Sequence, residues 1–417
     1  MLIISKYNKA IILMLVILSF GFYLKIDSSI QISQLIIYPI AVMMFLLNLI
    51  NKRRIVKDIF QIFVFWMCWF ILILFISIYR NNELTGIFAG IKNMIEPLIV
   101  ISLFMFYRRD DKLDLNTGMI NYYSKILVTM LILNTVYIFA SFVIDLDFIN
   151  LYFWGSTDSV AARAMTNGRY SGIFNQPMES GVAYSLGIFC WQYVNSKTND
   201  FKTKQMLILI ILIIGGVMSV SKVFLLIGLP LFFIFFIGNK NFLQFFSKFI
   251  IWGTLGVLTF NWISKFWSGT DYLLRFFNSS ENIITLLTAG RFGEGSQQSR
   301  FFGEVWKTSP ILGLGFGGSK VYDSMYFYFF SLGGVISLAM LIVLLCIFVV
   351  KMTKFIKLTE NSLESRLFIL LVLLISLGGF GSPILTLNRV GILLWTLLIL
   401  LCKYFYMCKV DKKTQIM

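Results

Sequence analysis

The chain has 417 residues, of which 58% are hydrophobic and only 13% charged, with a mean hydropathy of +0.82 and a formal net charge of +16. That balance excludes an ordinary soluble domain and points to a multi-span membrane protein. Histidine is absent, which removes imidazole as a general base and as a metal ligand.

Apolar runs that approach or cross a hydrocarbon core of about 30 Å recur along the whole chain. They cover residues 10–24, 30–50, 59–79, 84–107, 126–144, 173–193, 206–220, 223–237, 249–263, 326–350, 367–380 and 384–402. Each must be helical, because lipid offers no partner to a backbone donor or acceptor. The first run follows Lys6 and Lys9 but precedes no clear small-residue cleavage site, so it reads as a span and not as a removed signal. The seventh and eighth are short and only Ser221-Lys222 separates them. A single helix over both would be about 48 Å long, and basic residues flank both outer ends. They therefore read as a hairpin, broken at Gly215-Gly216 or between Ser219 and Lys222.

With twelve spans, both termini and every even-numbered connection carry an excess of Lys and Arg, which together account for +15 of the +16. This puts both termini in the cytoplasm. The high isoelectric point reports orientation and gives no support to nucleic-acid binding. The expected fold is all-α: one polytopic membrane domain over residues 1–417. The five cysteines have no metal-ligand spacing and read as small buried hydrophobes.

Two outer connections are long, about 145–172 and 264–324. In the first, Asp145-Leu146-Asp147 has the spacing of a metal-binding pair, although a short acidic loop edge accounts for it as well. In the second, residues 264–277 are aromatic and polar, suiting a helix in the membrane interface or a face on which glycans stack. Arg291 and Arg300 offer planar forks that bind phosphate oxygens bidentately and keep their charge; the bland alternative is a surface ion pair with Glu294 or Glu304. Gly313, Gly315, Gly317 and Gly318 match neither a Walker A loop nor a dinucleotide fingerprint, yet would let backbone amides approach an anion. Without histidine, a carboxylate is the expected base. Asp323, Glu304 and Glu179 are the candidates, and a helix cap shared with Ser324 is the structural alternative for Asp323. Lys222 sits at the hairpin turn, where it either joins the arginines on an anion or snorkels. Within the fourth span Lys92 and Glu96 share one helix face, paired or functional.

Together these residues resemble the O-antigen polymerase and ligase superfamily, bacterial polytopic enzymes that act on glycans linked to undecaprenyl diphosphate. The similarity covers about residues 169–334. Arg169-Tyr170-Ser171-Gly172-Ile173-Phe174-Asn175-Gln176-Pro177 is similar to the family's Arg-x-x-Gly-x-Phe-x-x-Pro. Ser219-Val220-Ser221-Lys222 resembles its Ser-Arg turn with lysine for arginine. Arg300, Trp306, Pro310-Ile311-Leu312-Gly313-Leu314-Gly315 and Gly333-Gly334 complete the match. Ligases of the superfamily usually carry histidine where Asp323 stands, so the resemblance implies a polymerase of lipid-linked repeat units; the alternatives are a ligase and, from another class, a lipid-linked oligosaccharide flippase. It also implies a diphosphate site of Arg169, Arg291, Arg300 and Lys222, an outward-facing site in the bacterial plasma membrane, and no metal or cofactor. The implied partners are the undecaprenyl-diphosphate-linked glycan, membrane lipid, and a chain-length regulator and a flippase of the same pathway.

Overall fold

Eleven of the twelve apolar runs fall on helix in the computed structural model, which describes residues 2–21, 32–107, 113–156, 159–198, 203–237, 269, 297–318, 324–360 and 362–416. The ninth run, 249–263, lies outside the described residues. In chain order the helices are α1 (Leu2–Phe20), α2 (Ile32–Ile50), α3 (Lys57–Tyr79), α4 (Leu84–Phe104), α5 (Leu113–Ala140), α6 (Asp147–Trp154), α7 (Val160–Met165), α8 (Pro177–Thr198) and α9 (Thr203–Met218). A π-helix, Val223–Gly228, leads into α10 (Leu229–Ile237). Then follow α11 (Gln297–Thr308), α12 (Met325–Thr359), α13 (Leu363–Gly378), a 3-10 turn Ile384–Thr386, and α14 (Val390–Ile416). Among the described residues the only strands are the two-residue pair Arg54–Ile55 and Phe106–Tyr107.

Helices α3, α4, α5, α12 and α14 are long and apolar enough to cross a membrane, so the chain is an all-α membrane protein. The seventh and eighth runs break where expected: α9 ends at Met218, and helix resumes beyond the Ser219–Lys222 turn. The first long connection, 145–172, holds α6 and α7 and is more ordered than a loop.

The chain divides into two compact units, Met1–Leu127 with Phe301–Met417, and Val128–Arg300. In the first, α14 is the hub: residues 389–405 are all buried. Around it Trp66, Trp69, Trp395 and Phe329 meet edge to face or tilted, with centroids 4.3–6.2 Å apart. Each indole in this cluster also satisfies its N–H, as a buried tryptophan must: Trp66 donates to Met94 O, Trp69 to Ser337 Oγ and Trp395 to Leu385 O. One set of contacts thus locks α3, α4, α12 and α14. At one end of this unit the basic residues gather: Lys403 Nζ donates to Phe106 O, Lys351 pairs with Asp58 at 3.3 Å, and Lys412 Nζ donates to Leu358 O. At the other end lie the close of α3, the start of α4 and residues 309–316, joined by hydrogen bonds described below.

Helix α12 is broken at Gly333 and Gly334. The break removes two helical hydrogen bonds, those that would run from Val335 and Ile336 to Ser331 and Leu332. All four freed groups find partners in residues 310–315. Leu314 N donates to Ser331 O at 2.8 Å, Gly315 N to Leu332 O at 2.9 Å, Val335 N to Pro310 O at 2.8 Å, and Ile336 N to Ile311 O at 3.5 Å. This lacing needs glycine. A Cβ on Gly313 would lie 2.5 Å from Gly334 N, and the residue's φ is +67°.

In the second unit α8 is central. It is not among the most apolar helices, yet residues 179–191 are all buried. Small residues let its neighbours approach closely: a Cβ on Gly181 would meet Ser221 Oγ at 2.1 Å, and one on Gly228 would meet Ser185 Oγ at the same distance. The Tyr184 hydroxyl, buried against α5, receives a hydrogen bond from Asn134 Nδ2 and shares one with Thr135 Oγ1.

Two glycines give opposite expectations. Gly313→Ala forces a side chain into the α12 break and should destabilise the protein by about 1–3 kcal/mol. Gly303, inside α11 with open space around it, gains about 0.5–1 kcal/mol on conversion to Ala. Thermal unfolding of the two variants in detergent, beside the unaltered protein, checks both signs.

Candidate functional site

In the second unit the Arg169–Pro177 segment, the α9 turn and the start of α8 come together. Tyr170 N donates to Met218 O at 2.8 Å, and Arg169 Nη2 reaches Val220 O at 3.4 Å. These take carbonyls that the end of α9 leaves without helical partners. Val220 has φ +45°, the left-handed region that a β-branched residue rarely enters. Its Val side chain is nonetheless buried, packed with Tyr170, Val217, Met218 and Leu225. Lys222 follows at the head of the π-helix, a distortion that recurs at functional sites. Across the turn, the Gly181–Ser221 approach sets α8 against it, and Glu179, only 2% exposed, lies in the first turn of α8. There the positive end of the helix dipole favours a carboxylate.

Arg169 and Tyr170 also line a small cleft with Tyr137, Ser141, Asn150 and Trp154. Its wall is held by Trp154 Nε1 donating to Gly172 O and by Tyr137 Oη donating to Asn150 Oδ1. Burial pushes the Tyr170 phenol above its ordinary value, so it stays a neutral hydroxyl donor at physiological pH. Asp145 and Asp147 are used locally: Asp147 N donates to Asp145 Oδ1 at 2.9 Å, opening α6.

Arg300 and Glu304 lie one turn apart on α11, both exposed, and among the described residues no ion pair joins them. The inner face of α11 packs Phe301 and Val305 on Phe330. Trp306 is 54% exposed and stacks with Phe302. Arg291, Glu294 and Asp323 lie outside the described residues, as does the aromatic stretch 264–277 apart from Gly269. Ser324 precedes α12 without a side-chain cap bond; its hydroxyl donates to Gly379 O at 3.3 Å.

Gly313 and Gly315 do not form the open anion cradle that the glycine run suggests. The amides of Gly313, Leu314, Gly315 and Phe316 are all taken, by Ser309 O, Ser331 O, Leu332 O and Ser77 Oγ. Asn82 Nδ2 donates to both Leu314 O and Phe316 O at 2.7 Å. Beside it Arg80, which ends α3, donates from its guanidinium to Ser309 Oγ. Sequence reading passes over Arg80, Asn82 and Ser77, because a short turn between two spans carries no motif. An arginine one residue beyond a long apolar run is the one signal that marks it.

Glu96 is buried and accepts from Gln34 Nε2 at 3.0 Å, tying α4 to α2, with Lys92 one turn before it on α4. Compared with protein-family models and curated proteins, the sequence matches no family model and no curated protein at a significant level.

Asn82→Ala removes the brace from residues 314–316. The free energy of opening that segment should fall by about 1–2 kcal/mol, read as faster deuterium uptake by 313–316 while α14 is unchanged.

Proposed function

We propose that the protein is a polymerase of lipid-linked oligosaccharide repeat units, working at the outer face of a bacterial plasma membrane with twelve spans and both termini in the cytoplasm. The observation that carries this reading is the convergence of Arg169, Lys222 and Glu179 on one helix break in the second unit. It joins residues from two separated stretches, 169–179 and 219–222, each of which includes a segment that resembles a motif of the polymerase and ligase superfamily. The gathering of Lys351, Lys403 and Lys412 at the end of the first unit opposite Arg80 supports the assigned orientation.

In the proposed reaction a hydroxyl of the incoming repeat unit attacks the anomeric carbon of the growing glycan. The bond between that carbon and the diphosphate oxygen breaks, and the lipid diphosphate leaves with the electron pair. Arg169 and Lys222, with Arg291 and Arg300 from the second long connection, stabilise the charge that builds on the leaving group. Arginine suits this task because its fork matches two phosphate oxygens and stays protonated. Glu179 takes the proton of the attacking hydroxyl. The lipid-linked donor supplies the energy, so no nucleotide sugar enters.

Reconstituted protein given lipid-linked repeat units should make longer glycans without nucleotide sugar. Arg169→Ala and Lys222→Ala should each slow elongation by about 10²-fold or more, and Glu179→Gln by about 10²- to 10⁴-fold, at unchanged protein abundance. Wild-type chain lengths from all three variants would refute the site. Transfer of lipid-linked units across the bilayer without elongation would indicate a flippase.

A further inference from the structure

The one strand pair among the described residues holds a turn made largely of cations. Between α2 and α3 the chain reads Lys52-Arg53-Arg54, and Lys57 opens α3. Arg54 pairs with Tyr107 and Ile55 with Phe106, and Val56 N donates to Met105 O at 2.9 Å, so the turn is pinned to the end of α4. Its start is closed onto α2, where Lys52 N donates to Leu49 O and Arg53 N to Asn48 O. Orientation in a membrane depends on how many basic residues a connection carries. It does not require that they be held in place.

We infer that this pinned turn, with the end of α12 beside it, binds the phosphate of an anionic phospholipid. The inference is independent of the polymerase reading. Lys52, Arg54 and Lys57 are exposed, as are Lys354 and Lys357 in the last turns of α12. The Asp58–Lys351 ion pair at 3.3 Å ties the start of α3 to this part of α12 and occupies the carboxylate that follows Lys57. Among the described residues these five exposed cations form no ion pair, and Glu360, which closes α12, is joined to none of them.

Position selects the partner. Helix α3 is long and apolar enough to cross a membrane and begins at Lys57, so these cations stand at the level of the lipid headgroups. On the membrane side of the turn, Leu49 and Ile50 at the end of α2 and Phe60 and Val64 at the start of α3 expose apolar side chains, a surface for acyl chains. Clusters of Lys and Arg that flank a span attract anionic headgroups, and the exposed Arg54 fork matches phosphate oxygens. The simpler role, solvated charges that only set orientation, explains their number but not the strand pair that fixes them.

The test counts bound lipid. Full-length protein, stripped of lipid in detergent, is titrated with dioleoylphosphatidylglycerol or dioleoylphosphatidylcholine, and the adducts are resolved by native mass spectrometry. Phosphatidylglycerol should be held in preference to phosphatidylcholine by about 10-fold or more, and less so as ionic strength rises. Arg54→Gln/Lys57→Gln should lower the affinity for phosphatidylglycerol by about 10- to 30-fold. The control Lys204→Gln/Lys307→Gln removes the same charge elsewhere and should change it less than about twofold. Elution volume and thermal midpoint verify folding; if Arg54→Gln/Lys57→Gln does not fold, Lys354→Gln/Lys357→Gln decides, with a similar loss expected. Equal losses in site and control variants would overturn the assignment, because binding would then follow net charge alone. So would equal retention of the two lipids by the unaltered protein, or full affinity for phosphatidylglycerol in the folded site variants.

Discussion

A backbone group released inside a membrane has to be given a partner by the protein itself, and two helix breaks among the described residues are organised by that requirement. At Gly333-Gly334 two carbonyls and two amides come free, and residues 310–315 take all four. At the end of α9 the carbonyls of Met218 and Val220 come free, and Tyr170 N with the Arg169 guanidinium takes them. In both units a polar connection is thereby drawn down onto a broken helix. The proposed chemistry depends on this, since it turns flexible linkers into fixed positions for charge.

The two solutions differ in what remains available. Gly313, Leu314 and Gly315 spend their amides on other backbone carbonyls, and the two glycines are needed for close approach and a left-handed backbone. Glycine-rich sequence there is a packing device. Around α9 the same task falls partly to an arginine side chain, whose Nη2 reaches the Val220 carbonyl and brings a fixed positive charge to the turn. That difference is why Arg169 belongs to the proposed site and the glycine run does not.

Much of this was legible in the sequence. Hydropathy alone places eleven runs on helix, and the argument from length and flanking charge anticipates the hairpin broken between Ser219 and Lys222. Arg169 stands out because residue type and motif agree, Lys222 by its place at the hairpin turn, and Glu179 as a carboxylate of the outer face. Other features were not legible. Arg80 and Asn82 act on residues some 230 positions away, and no local pattern encodes such a partner. The helices α6 and α7 escape notice because each is too short to develop an apolar period. The role of Gly313 is invisible until Gly334 is beside it.

The lacing of α12 also bears on the order in which the chain can acquire its structure during synthesis. Residues 310–315 leave the ribosome shortly before 331–336, so the partners that α12 requires are already made when its break reaches the membrane. Contacts this close in sequence form quickly. The turn after α3 is in the opposite position: Asn82 and Ser77 wait for Leu314 and Phe316, more than 230 residues later. Until then the α3–α4 pair must persist with that end unbraced, and the last third of the chain closes a structure that the first third began.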